Sequence, residues 1–291
     1  MTRAPSRIAS IDGLRGLLAA YVMLWHFLAH SPVHAYAPPG TLAVYCFFVM
    51  SGYVLTLAWT SDFPVFLLRR FLRLWPVYAV ALASGALLSR VDVGWTDFAF
   101  YPLTPSVAIW RIDSPIWSLY VEAWAMLAMP FIVWSGKTAP RAAIAILVFV
   151  IAGCFELRMA CGIFFVVGSH LARYRFDFAA LNGSIPQWLG KISYSLYLTH
   201  FIVFKTCDAW FQGIDRFLEL PIAIAVGYLV WVGIERYSID LSRKAARYIR
   251  PLRSWRPLAS AYRVERSRRA ADLHDPSQQH RRAEARRTAL Q

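Results

Sequence analysis

The stretch IDGLRGLLAAYVMLWHFLAH (Ile11–His30) decides the reading of this chain. It is an apolar run long enough to cross a membrane, yet it carries the ionisable side chains of Arg15 and His26. An Arg at mid-span costs roughly 2.5–3.5 kcal/mol on insertion scales, so such groups are read first as parts of a site. The eleven steps from Arg15 to His26 span about 16 Å of helix. One group therefore lies toward each face of the hydrocarbon core. That arrangement suits a protein handling one reactant from each side of a membrane.

The rest of the chain repeats the apolar character of this run. Of its 291 residues 58% are hydrophobic, and the mean hydropathy is +0.43. This is too apolar for a soluble domain and points to an all-α, polytopic transmembrane bundle. Eight spans are expected, at about 11–31, 40–60, 70–89, 115–134, 141–156, 158–173, 189–211 and 217–237. With eight spans, Arg3 and Arg7, the cluster Arg69, Arg70 and Arg73, then Lys137 and Arg141, Arg173, Arg175 and Lys191, and finally Arg243, Lys244, Arg247 and Arg250 all fall on one side. The opposite loops are poor in Lys and Arg, so both termini are expected to be cytoplasmic. The first run is unlike the apolar part of a cleavable signal and is expected to stay in the membrane.

The organisation follows from the charge. The formal net charge is +14, and Ser242–Gln291 holds 14 Lys plus Arg against 4 Asp plus Glu. Residues 1–240 are read as the membrane domain. Residues 241–291 are read as a basic cytoplasmic tail, without fixed structure toward its end, that favours anionic lipid headgroups. No nucleic-acid recognition motif accompanies the charge. Cys46, Cys154, Cys161 and Cys207 form no CxxC pair and are read as small core residues, with neither disulfide nor metal expected.

Counting along the helices places His26 and Glu122 at similar depth on the outer side. A His beside a carboxylate makes a general-base pair, the carboxylate orienting the ring and stabilising its protonated form. Arg69, Arg70 and Arg73 form a cationic cluster whose guanidinium forks match phosphate oxygens. Arg73 is followed by Pro76, which can break the helix and expose backbone groups near Tyr78.

These residues stand in segments that resemble the acyltransferase 3 family, integral-membrane acyltransferases of bacterial glycans and other extracytoplasmic acceptors. IDGLRGLLAAYVMLWH resembles its opening span, with a basic residue, ten residues and a His. FFVMSGYVLTL (Phe47–Leu57), RRFLRLWPVY (Arg69–Tyr78) and SPIWSLYVEAWAMLAMP (Ser114–Pro130) resemble the next three segments. FFVVGSHLAR (Phe164–Arg173) and LGKISYSLYLTHFIVF (Leu189–Phe204) resemble later ones. The likeness runs from about Ile8 to Arg236. The family usually has about ten core spans, and the shortening here falls between Pro130 and Gly162.

The resemblance implies transfer of an acyl group, most often acetyl, from cytoplasmic acyl-CoA to a hydroxyl of an extracytoplasmic glycan or related acceptor. It implies a multi-pass protein of the inner membrane that needs no metal. His26, Glu122 and Arg15 are the expected catalytic set. Arg69, Arg70, Arg73 and Tyr78 are the expected CoA-binding set. Ser51, Trp117, Ser118, Tyr197 and His200 are expected on the substrate path. Direct transfer and an acyl-enzyme both remain open, with Ser51, Ser118, Ser193 and Ser195 the available hydroxyls.

Plainer readings stand beside these. Arg15 can snorkel to the interface, and the arginine cluster can be a topology signal alone. His200 can be a buried structural histidine, and Trp117 an interfacial or core residue. Two other readings of the whole chain are a carrier using the same buried charges, and a shortened, inactive relative acting as a partner subunit. No internal repeat of the transporter kind is seen.

Overall fold

The computed structural model describes residues 9–60, 62–100, 105–174, 178–211 and 215–249. Arg3, Arg7, Arg175, Arg250 and the tail beyond lie outside them. The described residues form a helical bundle: α1 (Ala9–Phe27), α2 (Gly40–Ala58), α3 (Phe63–Ser89), α4 (Trp95–Phe98), α5 (Val107–Ile112), α6 (Trp117–Leu127), α7 (Met129–Ser135), α8 (Ala139–Phe155), α9 (Gly162–Leu171), α10 (Ser184–Trp210), α11 (Glu219–Val230) and α12 (Arg236–Ile249). A π-helical turn, Trp231–Glu235, joins the last two.

Each of the eight expected stretches contains helix, with three differences. The stretch 115–134 is not one helix: α6 and α7 meet at 73°. Pro130 in the first turn of α7 supplies no N–H to the preceding turn and clashes with a continuing helix, which accounts for the bend. Helix α3 begins at Phe63, capped by the Asp62 carboxylate accepting from the Val65 amide at 3.4 Å, so Arg70 and Arg73 lie two to three turns inside it. It also runs unbroken through Pro76. Finally, α12 continues to Ile249, past residue 240 where the tail was expected to begin.

By length and composition, α2, α3 and residues 216–245 can each cross a membrane, and the bent α6–α7 pair adds a fourth if its two pieces are taken as one span. Helices α1 and α10 are not among them. Asp12, Arg15 and His26 in α1, and Lys191, Thr199, His200 and Lys205 in α10, lower their hydropathy. These two helices pack along each other more extensively than any other pair, and α10 turns much of its length inward.

Small residues set that contact. A Cβ on Gly16 would strike the Gly190 amide nitrogen, and one on Gly190 would strike the Asp12 carbonyl. The α2–α9 pair is built the same way, with Gly52 against Phe165 and Gly168 against Val49, backbone on backbone. Gly168→Val is therefore expected to separate α2 from α9 and sharply reduce the folded protein recovered in detergent, by size-exclusion profile; an unchanged monodisperse peak would show the contact to be dispensable.

The core is aliphatic and aromatic. Tyr78 is fully buried, its hydroxyl donates to the Asp97 carbonyl at 2.7 Å, and Trp75 Nε1 donates to Phe98 O at 2.9 Å. These bonds tie α3 to the short α4. All four cysteines are free thiols; Cys161 and Cys207 are buried, whereas Cys46 and Cys154 are exposed on helix faces rather than in the core.

Candidate active site

Five helices enclose a cavity of about 100 Å³. Arg15 comes from α1, Phe47, Phe48 and Ser51 from α2, Arg70, Arg73 and Leu74 from α3, Ser118, Leu119 and Glu122 from α6, and Ser193, Tyr194 and Tyr197 from α10. Arg70 and Arg73 stand three residues apart on one face of α3, which is why they share a wall. Arg69 is rotated off that face and does not line the cavity. Arg15 forms an ion pair with Asp12 at 3.9 Å. Glu122 lines the same cavity as Arg70 and Arg73. The cavity thus carries three guanidinium groups, the Glu122 carboxylate and apolar walls from α2.

The expected pairing of His26 with Glu122 is not made. Helix α1 packs along α10 and α2 rather than along α6, so equal depth does not bring the two together. His26 meets His200 instead: His26 Nδ1 lies 3.1 Å from His200 Nε2. Each Nδ1 also lies 3.0 Å from the carbonyl one turn back, Val22 O for His26 and Leu196 O for His200. A carbonyl oxygen only accepts, so each Nδ1 carries the proton. His200 Nε2 is then a lone pair that accepts from His26 Nδ1–H. His26 Nε2 keeps a lone pair not used by these bonds. Both partners of His26 Nδ1 are acceptors, so the same geometry also suits a protonated ring.

His200 is fully buried, whereas His26 is half-buried among the rings of Trp25 and Phe201. Tyr197 links this pair to the cavity. It precedes His200 by one turn, with ring centroids 6.1 Å apart. Its hydroxyl lies 2.9 Å from Ser118 Oγ and donates to Pro115 O at 3.1 Å. Arg15, Arg70, Arg73, Glu122, Ser51, Ser118 and Tyr197 are therefore brought together on one cavity, with His200 and His26 a turn beyond it.

Besides Arg69, two further expected residues stand away from the cavity. Tyr78 belongs to the core contact with Asp97 and stacks on Phe100 at 4.3 Å, so its hydroxyl is spent on packing. Trp117 does not line the cavity; it packs edge-on against Phe48 at 5.9 Å.

Glu235 and Tyr194 went unread in the sequence. Tyr194 lines the cavity and donates to Leu74 O at 2.8 Å. Glu235 is 4% exposed and accepts from Ser195 Oγ at 2.6 Å and Ser195 N at 3.2 Å. An acidic residue inside an apolar run is the signal that singled out Glu122, and it applies equally to Glu235.

The hydroxyls of Ser118, Ser193 and Ser195 bond to groups other than an imidazole. Ser118 Oγ donates to Pro115 O, Ser193 Oγ to Gly190 O and Ser195 Oγ to Glu235. Among the described residues no group of three His, Cys, Asp or Glu side chains could hold a metal ion.

An alignment 155 positions long is 31% identical to "Protein 2 in picA locus" of Rhizobium radiobacter and covers 40% of this chain and 78% of that protein. No solved structure matches. Residues 8–158, which supply Arg15, His26, Arg70, Arg73 and Glu122, match the family model described as an acyltransferase domain. That match spans just over half of the sequence, and on it the chain belongs to the acyltransferase 3 family.

Proposed function

We propose that this protein moves an acyl group, acetyl by default, from cytoplasmic acyl-CoA to a hydroxyl of a glycan or related acceptor on the outer side of the inner membrane. The reading takes the helices as eight crossings with both termini cytoplasmic, which puts the Arg70 and Arg73 end of the cavity inward and His26 outward. Basic residues gathered on one side of that arrangement support it.

The observation that carries the chemistry is the orientation of His26. With Nδ1 held by Val22 O and His200 Nε2, Nε2 is the available base. The acceptor hydroxyl gives its proton to Nε2 while its oxygen attacks the thioester carbonyl. The tetrahedral adduct collapses as the C–S bond breaks, and the thiolate takes the proton back from the imidazolium. Guanidinium groups at the cavity bind the diphosphate of CoA. Tyr197 is about one turn, roughly 4.5 Å of helix rise, from His200, so the carbonyl would sit between the cavity and the base.

Transfer is direct in this scheme, because the bonded serines give their protons to carbonyls or to Glu235 rather than to a histidine. The test is labelled acetyl-CoA supplied to membranes that contain the chain. Label is expected in an envelope glycan, with no hydroxylamine-labile label left on the protein. A labelled protein that chases into acceptor would replace direct transfer with an acyl-enzyme. Absence of both transfer and CoA binding would overturn the acyltransferase reading.

A further inference from the structure

The chemistry above leaves Tyr194 without a role. It belongs to α10 and lines the same cavity as Arg70 and Arg73 of α3. Its hydroxyl has one proton and gives it to the Leu74 carbonyl of α3 at 2.8 Å. Only lone pairs then remain on that oxygen, and these do not bind a phosphate. The hydroxyl therefore acts on the backbone of α3 rather than on a donor phosphate.

The Leu74 carbonyl sits where α3 needs holding. Arg73 is the preceding residue and Arg70 lies about one turn back, and all three line the cavity. Two residues further on, Pro76 has no N–H, so the helix lacks the bond that would run to the Leu72 carbonyl, and the proline ring crowds that carbonyl. The turn that carries Arg73 is thus joined to the rest of α3 less firmly than a turn without a proline behind it. Trp75 Nε1 holds this stretch toward α4, through Phe98 O at 2.9 Å. Tyr194 holds it from the cavity side.

The α10 end of the tie is itself fixed. Ser195, the next residue, is fully buried and donates twice to Glu235, from Oγ at 2.6 Å and from its amide at 3.2 Å. Tyr197, on the same face about one turn further, is bonded to Ser118 and Pro115 at the start of α6. Tyr194 stands between these two anchors, so its hydroxyl is a firm point against which α3 can rest.

The geometry points to Tyr194 as a positioning residue: its hydroxyl braces α3 beside Pro76, so that Arg70 and Arg73 are presented together to the cavity. The inference rests on the proposed function for what those arginines bind.

The test uses the full chain in detergent. Tyr194→Phe keeps the ring on the cavity wall and removes only the hydroxyl. It is expected to raise the KM for acetyl-CoA about tenfold, with kcat changed less than about threefold. A lower yield of folded protein with an unchanged KM would show a merely structural role and overturn the inference. A second arm needs no turnover. Hydrogen exchange of the backbone is compared in the two parts of α3, residues 63–75 and 77–89. Tyr194→Phe is expected to speed exchange in the first part and leave the second as it was. An equal rise in both parts would be a general loss of stability and would overturn the brace. A raised KM with unchanged exchange would mean that the hydroxyl meets the donor directly, and would overturn the positioning role. If exchange rises in the first part alone but even the parent protein neither binds nor uses acetyl-CoA, the acyltransferase reading fails while the brace stands.

Discussion

His26→Ala is expected to lower acyl transfer about 10²- to 10⁴-fold, the range a positioned general base contributes, with the protein present in membranes at the parental level. The ring is half-buried and packs against Trp25 and Phe201, so its loss leaves space without stranding a charge. His26→Gln is expected to fare no better, because an amide does not take up the proton. His200→Ala makes a sharper test. As His26 becomes imidazolium, its Nδ1–H bond to His200 Nε2 becomes charge-assisted, worth roughly 1.5–3 kcal/mol. The expected loss in kcat is about ten- to a hundredfold, smaller than for His26 because Val22 O still holds the ring. His200→Gln, which offers an amide oxygen at a similar reach, is expected to recover part of it. Full transfer by His26→Ala would remove the base from this site. A His200→Ala loss as large as that of His26→Ala would move the base to His200.

The sequence made some of this legible and hid the rest for geometric reasons. Depth along a helix is a count at about 1.5 Å per residue, so placing Arg15 and His26 near opposite ends of α1 needed no structure. Azimuth and neighbours are not a count. His26 and His200 were each singled out, but their meeting depends on the close crossing of α1 and α10 at Gly16 and Gly190, which the sequence shows only as two small residues. Glu122 does not meet His26, because it lines the cavity with Arg15, Arg70 and Arg73 whereas His26 lies against His200 of α10. The split of the arginine cluster was readable in principle. Residues 70 and 73 share a helical face and residue 69 does not. The bend between α6 and α7 was readable too, from Pro130 inside an apolar run. Glu235 was passed over although it obeys the rule that picked out Glu122.

Arg70→Ala and Arg73→Ala are each expected to raise the KM for acetyl-CoA about 10- to 100-fold, and the double variant to abolish detectable CoA binding. The magnitude follows from the roughly 1.5–3 kcal/mol that a hydrogen bond to a charged group contributes in a partly buried site. Both side chains line the same wall of the cavity, so a phosphate held by one lies within reach of the other. Lysine is a discriminating replacement. Arg73→Lys keeps the charge on the cavity wall but loses the planar fork, and is expected to fall between the parent and the alanine variant. Arg69→Ala is expected to shift the KM far less, because that side chain does not line the cavity. The readout separates donor binding from topology. Loss of a topology signal lowers the amount of correctly inserted protein and leaves the KM of the remainder alone, whereas loss of a phosphate contact does the opposite. An unchanged KM in both alanine variants would return Arg70 and Arg73 to the simpler task of a topology signal.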